Sequence, residues 1–146
     1  MTKLLQFLIK HLAFLYNEYQ ASFTSDGIDK GRASYCGNVK LKIKHLIVEI
    51  SLDRDELDVD FGTELHYDKD KSNYEEYYDD KFDHQVVWQL ITGKIHKSGI
   101  FNKKDAVFLH KNMDKILRLF EENNYTQTKQ KLEELENERS KRIWGD

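Results

Sequence analysis

The 146 residues contain no proline and a single cysteine, and no apolar run in them approaches the roughly 18 residues of a membrane span. Without proline there is no rigid spacer between modules, and no stretch has the composition of a flexible linker, so the expectation is one domain over 1–146. A chain of this length can bury about 68–70% of its unfolded surface. The lone Cys36 excludes an internal disulfide and fits a reducing compartment, so cytoplasmic residence is expected. Cys36 itself reads as a small strand residue, because nothing around it would activate a thiol. The opening Met1–Lys10 is apolar enough to suggest a leader. However, Gln6 breaks the run, Lys10 and His11 follow it, and no small-residue cleavage site is present, so a helix of the mature protein is expected.

Catalytic motifs are missing as well. The histidines His11, His45, His66, His84, His96 and His110 show no H-E-x-x-H or similar zinc spacing. There is no nucleophile elbow, phosphate-cradling glycine loop or dinucleotide fingerprint. Each histidine reads as a surface or half-buried residue. The carboxylates of Asp53–Asp60 read as the solvated face of a strand. Asp68, Asp70, Ser72 and Asp79 fall on positions 1, 3, 5 and 12 of a calcium loop, but Asn73 replaces its glycine and Asp79 its bidentate glutamate. The expectation is therefore no catalytic residue, no metal and no cofactor: not an enzyme.

What is present begins with a run of β pattern. Val39, Leu41 and Ile43 alternate with Lys40, Lys42 and Lys44. Leu46, Val48, Ile50 and Leu52 continue on even numbers, and Leu57, Val59 and Phe61 return to odd. A one-residue slip turns every side chain over, so Lys44-His45 must be a turn or bulge and Asp53–Glu56 a hairpin loop. Arg32–Cys36 would add a short strand or extend the first. This predicts an α+β fold with an antiparallel sheet of three to four strands over about 32–62. An N-terminal helix (Lys3–Glu18, stripe Leu4, Leu5, Leu8, Leu12, Leu15, Tyr19) and a C-terminal helical group pack it. Turn chemistry marks Ser22–Gly31. Phe82, Val86, Val87, Leu90 and Ile91 make a short helix, with Asp83 as N-cap and Gly93 after its end. A second runs from Lys103 to Asn123. A third is capped by Thr126 or Thr128, carries the narrow stripe Leu132, Leu135, Arg139 and Ile143, and forms the outer arm of a hairpin with the second. Thr63–Lys81 has no sustained period and reads as a long loop, of the kind that tends to be functional.

The net charge of −3 hides a polarised composition. Asp53–Asp83 holds thirteen acids and four bases, a net −9, and the remainder of the chain is net +6. Inside the acidic stretch, Tyr67, Tyr74, Tyr77 and Tyr78 sit among Glu64, Asp68, Asp70, Glu75, Glu76, Asp79, Asp80 and Asp83. Tyrosine gives rigid contact area with a polar tip, and dense carboxylates steer a basic partner. These twelve residues are the candidate partner-binding surface. The bland alternative is a solvated loop that pairs with the chain's own basic helix.

In size, organisation and the segment Glu64–Asp83, the chain resembles the immunity proteins of bacterial toxin systems. The ending Leu132–Gly145 also resembles the last helix of some such small families. The resemblance implies a cytoplasmic inhibitor that neutralises a basic toxin, such as a nuclease, by presenting carboxylates where phosphates would lie. No diagnostic motif accompanies it. A nucleic-acid-binding or regulatory module using Lys94, Lys97, Lys103, Lys104, Lys111, Lys115 and Arg118 is the alternative. Against it stand the absence of interleaved aromatics and a pI near 6.1. An enzyme of unrecognised type is the third reading. Neither a membrane nor a nucleic acid is the expected partner.

Overall fold

The computed structural model describes residues 2–23, 37–63, 81–97 and 99–145. Strands β1 (Ser22–Phe23), β2 (Gly37–Ile43), β3 (Leu46–Asp53), β4 (Glu56–Thr63) and β5 (Phe82–Asp83) form one antiparallel sheet in sequence order. Helices α1 (Thr2–His11) and α2 (Phe14–Asn17) precede it, and α3 (His84–Thr92), α4 (Lys103–Leu119) and α5 (Glu122–Trp144) follow. The α+β class and antiparallel sheet stand as expected. The count of three to four strands does not, because the two-residue edges β1 and β5 make five. Two residues carry no readable period. β1 also falls where turn residues dominate, and β5 runs directly into a helix.

The central register follows from the alternation. Val39 faces Ile50 and Leu41 faces Val48; Val48 and Ile50 in turn face Phe61 and Val59. All of these are buried. The first slip is a two-residue turn at Lys44-His45, with Ile43 opposite Leu46 and Lys44 at φ 55°. The second is a two-residue hairpin in which Arg54 (φ 50°) and Asp55 (φ 67°) both take left-handed conformations. Its twist matches that of the flanking strands, which is why such turns join two strands so tightly.

The N-terminal stripe does not form one helix to Glu18. The chain bends at Leu12-Ala13 and restarts as α2, which buries Phe14 as well as Leu15. Phe14 lies off the Leu4–Leu8–Leu12–Leu15 stripe, so an unbroken helix would hold it away from the core. Leu5, counted in that stripe, is exposed. At the other end α4 stops at Phe120, and α5 begins at Glu122 instead of Thr126 or Thr128. Asn123 and Asn124 lie in the first turn of α5. There Asn124 donates from Nδ2 to the Arg118 carbonyl at 2.9 Å, closing the α4–α5 corner, and Tyr125 and Thr128 are buried. α5 packs on α3 as well as on α4, and Ile143 and Trp144 at its far end are exposed. Asp83 and Gly93 bound α3 as read from the sequence. Asp83 accepts from the Gln85 backbone N–H at 2.8 Å, and Gly93 takes φ 74°.

Candidate functional site

Of the twelve candidate residues, Glu64, Tyr67, Asp68, Asp70, Tyr74, Glu75, Glu76, Tyr77, Tyr78, Asp79 and Asp80 lie outside the described residues, as do the calcium-like run and Arg32–Cys36. Asp83 is the one described. It stands in a group of acids that strand alternation alone assembles.

Residues opposite one another in an antiparallel sheet share a face, so the face away from the core carries a transverse charged row. Lys40 of β2 faces Glu49 of β3, Glu49 faces Asp60 of β4, and Asp60 faces Asp83 of β5. Asp58 stands two residues from Asp60 on the same face. Carboxylates directly opposite each other repel, which has to be offset from outside the row. Glu49 is buried and is met by Lys81 Nζ at 3.2 Å and Asn38 Nδ2 at 3.3 Å. Asp83 has Arg139 at 3.7 Å. Asp60 has no ion pair among the described residues. Burial pushes its pKa up to about 7, reinforced by Asp58, Asp83 and Glu49 and opposed by Lys81. Burial also raises Asp83, with Asp58 adding to it, against the Gln85 N–H and Arg139. Burial would raise Asp58 too. The facing His84 ring and Asp83 carboxyl, with the Val59 N–H at 3.0 Å, reverse this and hold it below the usual carboxylate range.

Behind this row lies a group of histidines that sequence spacing did not show. His84, the first residue of α3, is buried, with Nδ1 3.3 Å from Asp83 Oδ1 and 3.5 Å from Asp58 Oδ1. The loop after α3 is tied to β4 by the Phe101 N–H to the Leu57 carbonyl at 2.8 Å. It carries His96 back over α3, edge-on to both His84 and Trp88. At the start of α4, Asn102 and Asp105 form a capping box. Asp105 accepts the Asn102 N–H with Oδ2 at 2.9 Å and places Oδ1 2.6 Å from His96 Nε2. One ligand atom each from His84, His96 and Asp105 lie within 4.8 Å of one another, and the same holds for Asp58, Asp83 and His84. A cavity of about 10 Å³ adjoins the group, lined by His84 and Asp105 among apolar residues including Phe61, Trp88 and Phe101.

The cations of the alternative reading are elsewhere. Lys94, Lys97, Lys103, Lys104, Lys111, Lys115 and Arg118 are all exposed. Lys115 and Arg118 join Lys131 on a groove of about 370 Å³ between α3, α4 and α5. No helix among the described residues is long and apolar enough to cross a membrane. No protein-family model, curated protein or solved structure matches the chain.

Proposed function

We propose that the chain is a non-enzymatic, cytoplasmic binding protein that takes a basic protein partner on its acidic side, as an immunity protein takes a toxin. The observation that supports this is the carboxylate row Glu49–Asp60–Asp83 with Asp58. It runs from the central strand β3 across β4 to the edge strand β5, and the acidic, tyrosine-rich stretch 64–80 joins those last two strands in sequence, between Thr63 and Lys81. With Glu49 paired to Lys81 and Asp83 facing Arg139, the charge left to attract a basic surface is that of the part-exposed Asp58 and of the acids of the stretch 64–80. In this reading the field sets the rate of encounter and the tyrosines anchor the complex.

A pull-down from the native host, followed by binding kinetics, tests it. The captured partner is basic, and its association slows steeply with salt, because steering is screened over about 8 Å at physiological ionic strength. Tyr74→Ala, Tyr77→Ala or Tyr78→Ala speeds dissociation, by roughly 2 kcal/mol or more at a buried anchor. Asp79→Lys and Asp80→Lys lower the on-rate instead. An acidic partner, or one indifferent to all five substitutions, overturns the proposal.

A further inference from the structure

The His96–Asp105 contact explains itself as an ion pair or hydrogen bond, but at His84 only Nδ1 is explained that way, by Asp58 and Asp83. His84 is 5% exposed, and its Nε2 has no hydrogen-bond partner among the described residues. Burying a polar nitrogen without a partner is costly, and such groups in folded proteins have a reason to be there. The other ring nitrogen of His84, Nδ1, faces Asp83 Oδ1 at 3.3 Å and Asp58 Oδ1 at 3.5 Å.

We propose that His84, His96 and Asp105 bind one divalent first-row transition ion, with zinc as the reference. In this site Nε2 of His84, a His96 nitrogen and an Asp105 oxygen are the ligands. Asp58 and Asp83 take the Nδ1–H of His84 and so fix its tautomer. Two imidazoles and a carboxylate are a donor set suited to such ions. A carboxylate behind a ligating histidine is the usual outer support, since it orients the ring and raises its basicity. Bonds of about 2.0–2.1 Å in tetrahedral geometry separate ligand atoms by about 3.3 Å. The 2.6 Å contact between His96 and Asp105 therefore opens by about 0.7 Å, and the wider pairs, within 4.8 Å, draw in by at most about 1.5 Å. Rotation about side-chain bonds covers both changes. The adjoining cavity is close to the size of one water, which completes the fourth position. A divalent charge also offsets an otherwise acid-rich neighbourhood of Asp58, Asp60, Asp83 and Asp105. The three ligands come from the start of α3, the loop after it and the start of α4, so the ion ties these elements together.

The inference does not depend on the partner-binding proposal, and its test needs no partner. The full chain, stripped with a chelator, is titrated with Zn²⁺ by calorimetry and with Co²⁺ by visible absorption. One equivalent binds, Co²⁺ gives the intense visible bands of a four-coordinate ion, and the melting temperature rises by about 5–10 °C at 100 times Kd. His96→Asn and Asp105→Asn keep hydrogen-bonding groups in place and fold, as circular dichroism confirms, but lose at least about tenfold in affinity. Asp58→Asn loses about tenfold through the His84 tautomer. His110→Asn, at an exposed histidine of α4, binds the ion like the parent. Absence of stoichiometric Zn²⁺ and Co²⁺ binding, or equal affinity in the His96 and Asp105 variants and the parent, overturns the inference.

Discussion

Replacing Asp60 by asparagine removes one carboxyl from the middle of the acidic row and leaves its shape. In the parent the Asp60 pKa is raised to about 7, above the ordinary 3.8, by burial first and by Asp58, Asp83 and Glu49 next. The folded state thus holds a proton that the unfolded chain has already released. Stability is full below the unfolded pKa, falls as pH rises from about 4 to 7, and levels off above. At about 1.36 kcal/mol per unit the loss has a ceiling near 4 kcal/mol, and partial exposure of Asp60 brings it down to about 2 kcal/mol. Urea unfolding of parent and Asp60→Asn at steps from pH 4.5 to 8.5 reads this directly. The variant gains on the parent by about 2 kcal/mol across that range, most of it before pH 7. Any constant cost of the amide cancels, because only the change in the difference counts. Parallel stability curves would mean that the row of like charges is relieved by solvent or by groups outside it.

Further outcomes follow from single contacts. Ile50 is fully buried between Val39 and Val59, so Ile50→Asp places an unpaired charge in the core and abolishes cooperative thermal unfolding; a melt within a degree or two of the parent refutes the register. Asp55 stands at φ 67°, so Asp55→Gly raises stability by about 1 kcal/mol in urea melts, with little lost at the exposed Lys3 contact. Asn102→Ala removes the acceptor for the Lys104 and Asp105 N–H groups and costs about 1–2 kcal/mol by the same assay. Duplex DNA and single-stranded RNA titrated at about 0.15 M salt bind no tighter than micromolar; submicromolar, sequence-dependent binding favours a role for the basic helix instead.

The sheet was legible because its period is local: each of β2, β3 and β4 spans seven or eight residues and declares its inward face by alternation. The caps of α3 were legible for the same reason, since Asp83 and Gly93 act within a turn of their own positions. The break before Phe14 was not, because it satisfies a tertiary demand to bury a residue off the stripe. Nor was the His84, His96 and Asp105 group. Its members are twelve and nine residues apart on three elements, and only the packing of α3, the loop after it and α4 brings them together. One signal was available: Asn102 and Asp105 spell a capping box, which fixes a carboxylate at the start of α4 with His96 close before it. The charged row was half legible. The acids of β4 were taken for a solvated face; the β3–β4 register sets Glu49 beside Asp60, but the register that adds Asp83 depends on β5, which has no period to read.

The junction of β4 and β5 has a consequence for how this chain can vary. Phe61 and Phe82 are register partners, both buried, so the excursion of residues 64–80 starts and finishes on neighbouring strands already fixed by the core. Closing a flexible loop between fixed ends costs only about 0.6 kcal/mol more for each doubling of its length. A change of length in a flexible connection between Thr63 and Lys81 would therefore cost the sheet little. The β4–β5 junction is thus held by core contacts of its own, and sequence changes between Thr63 and Lys81 leave those contacts in place.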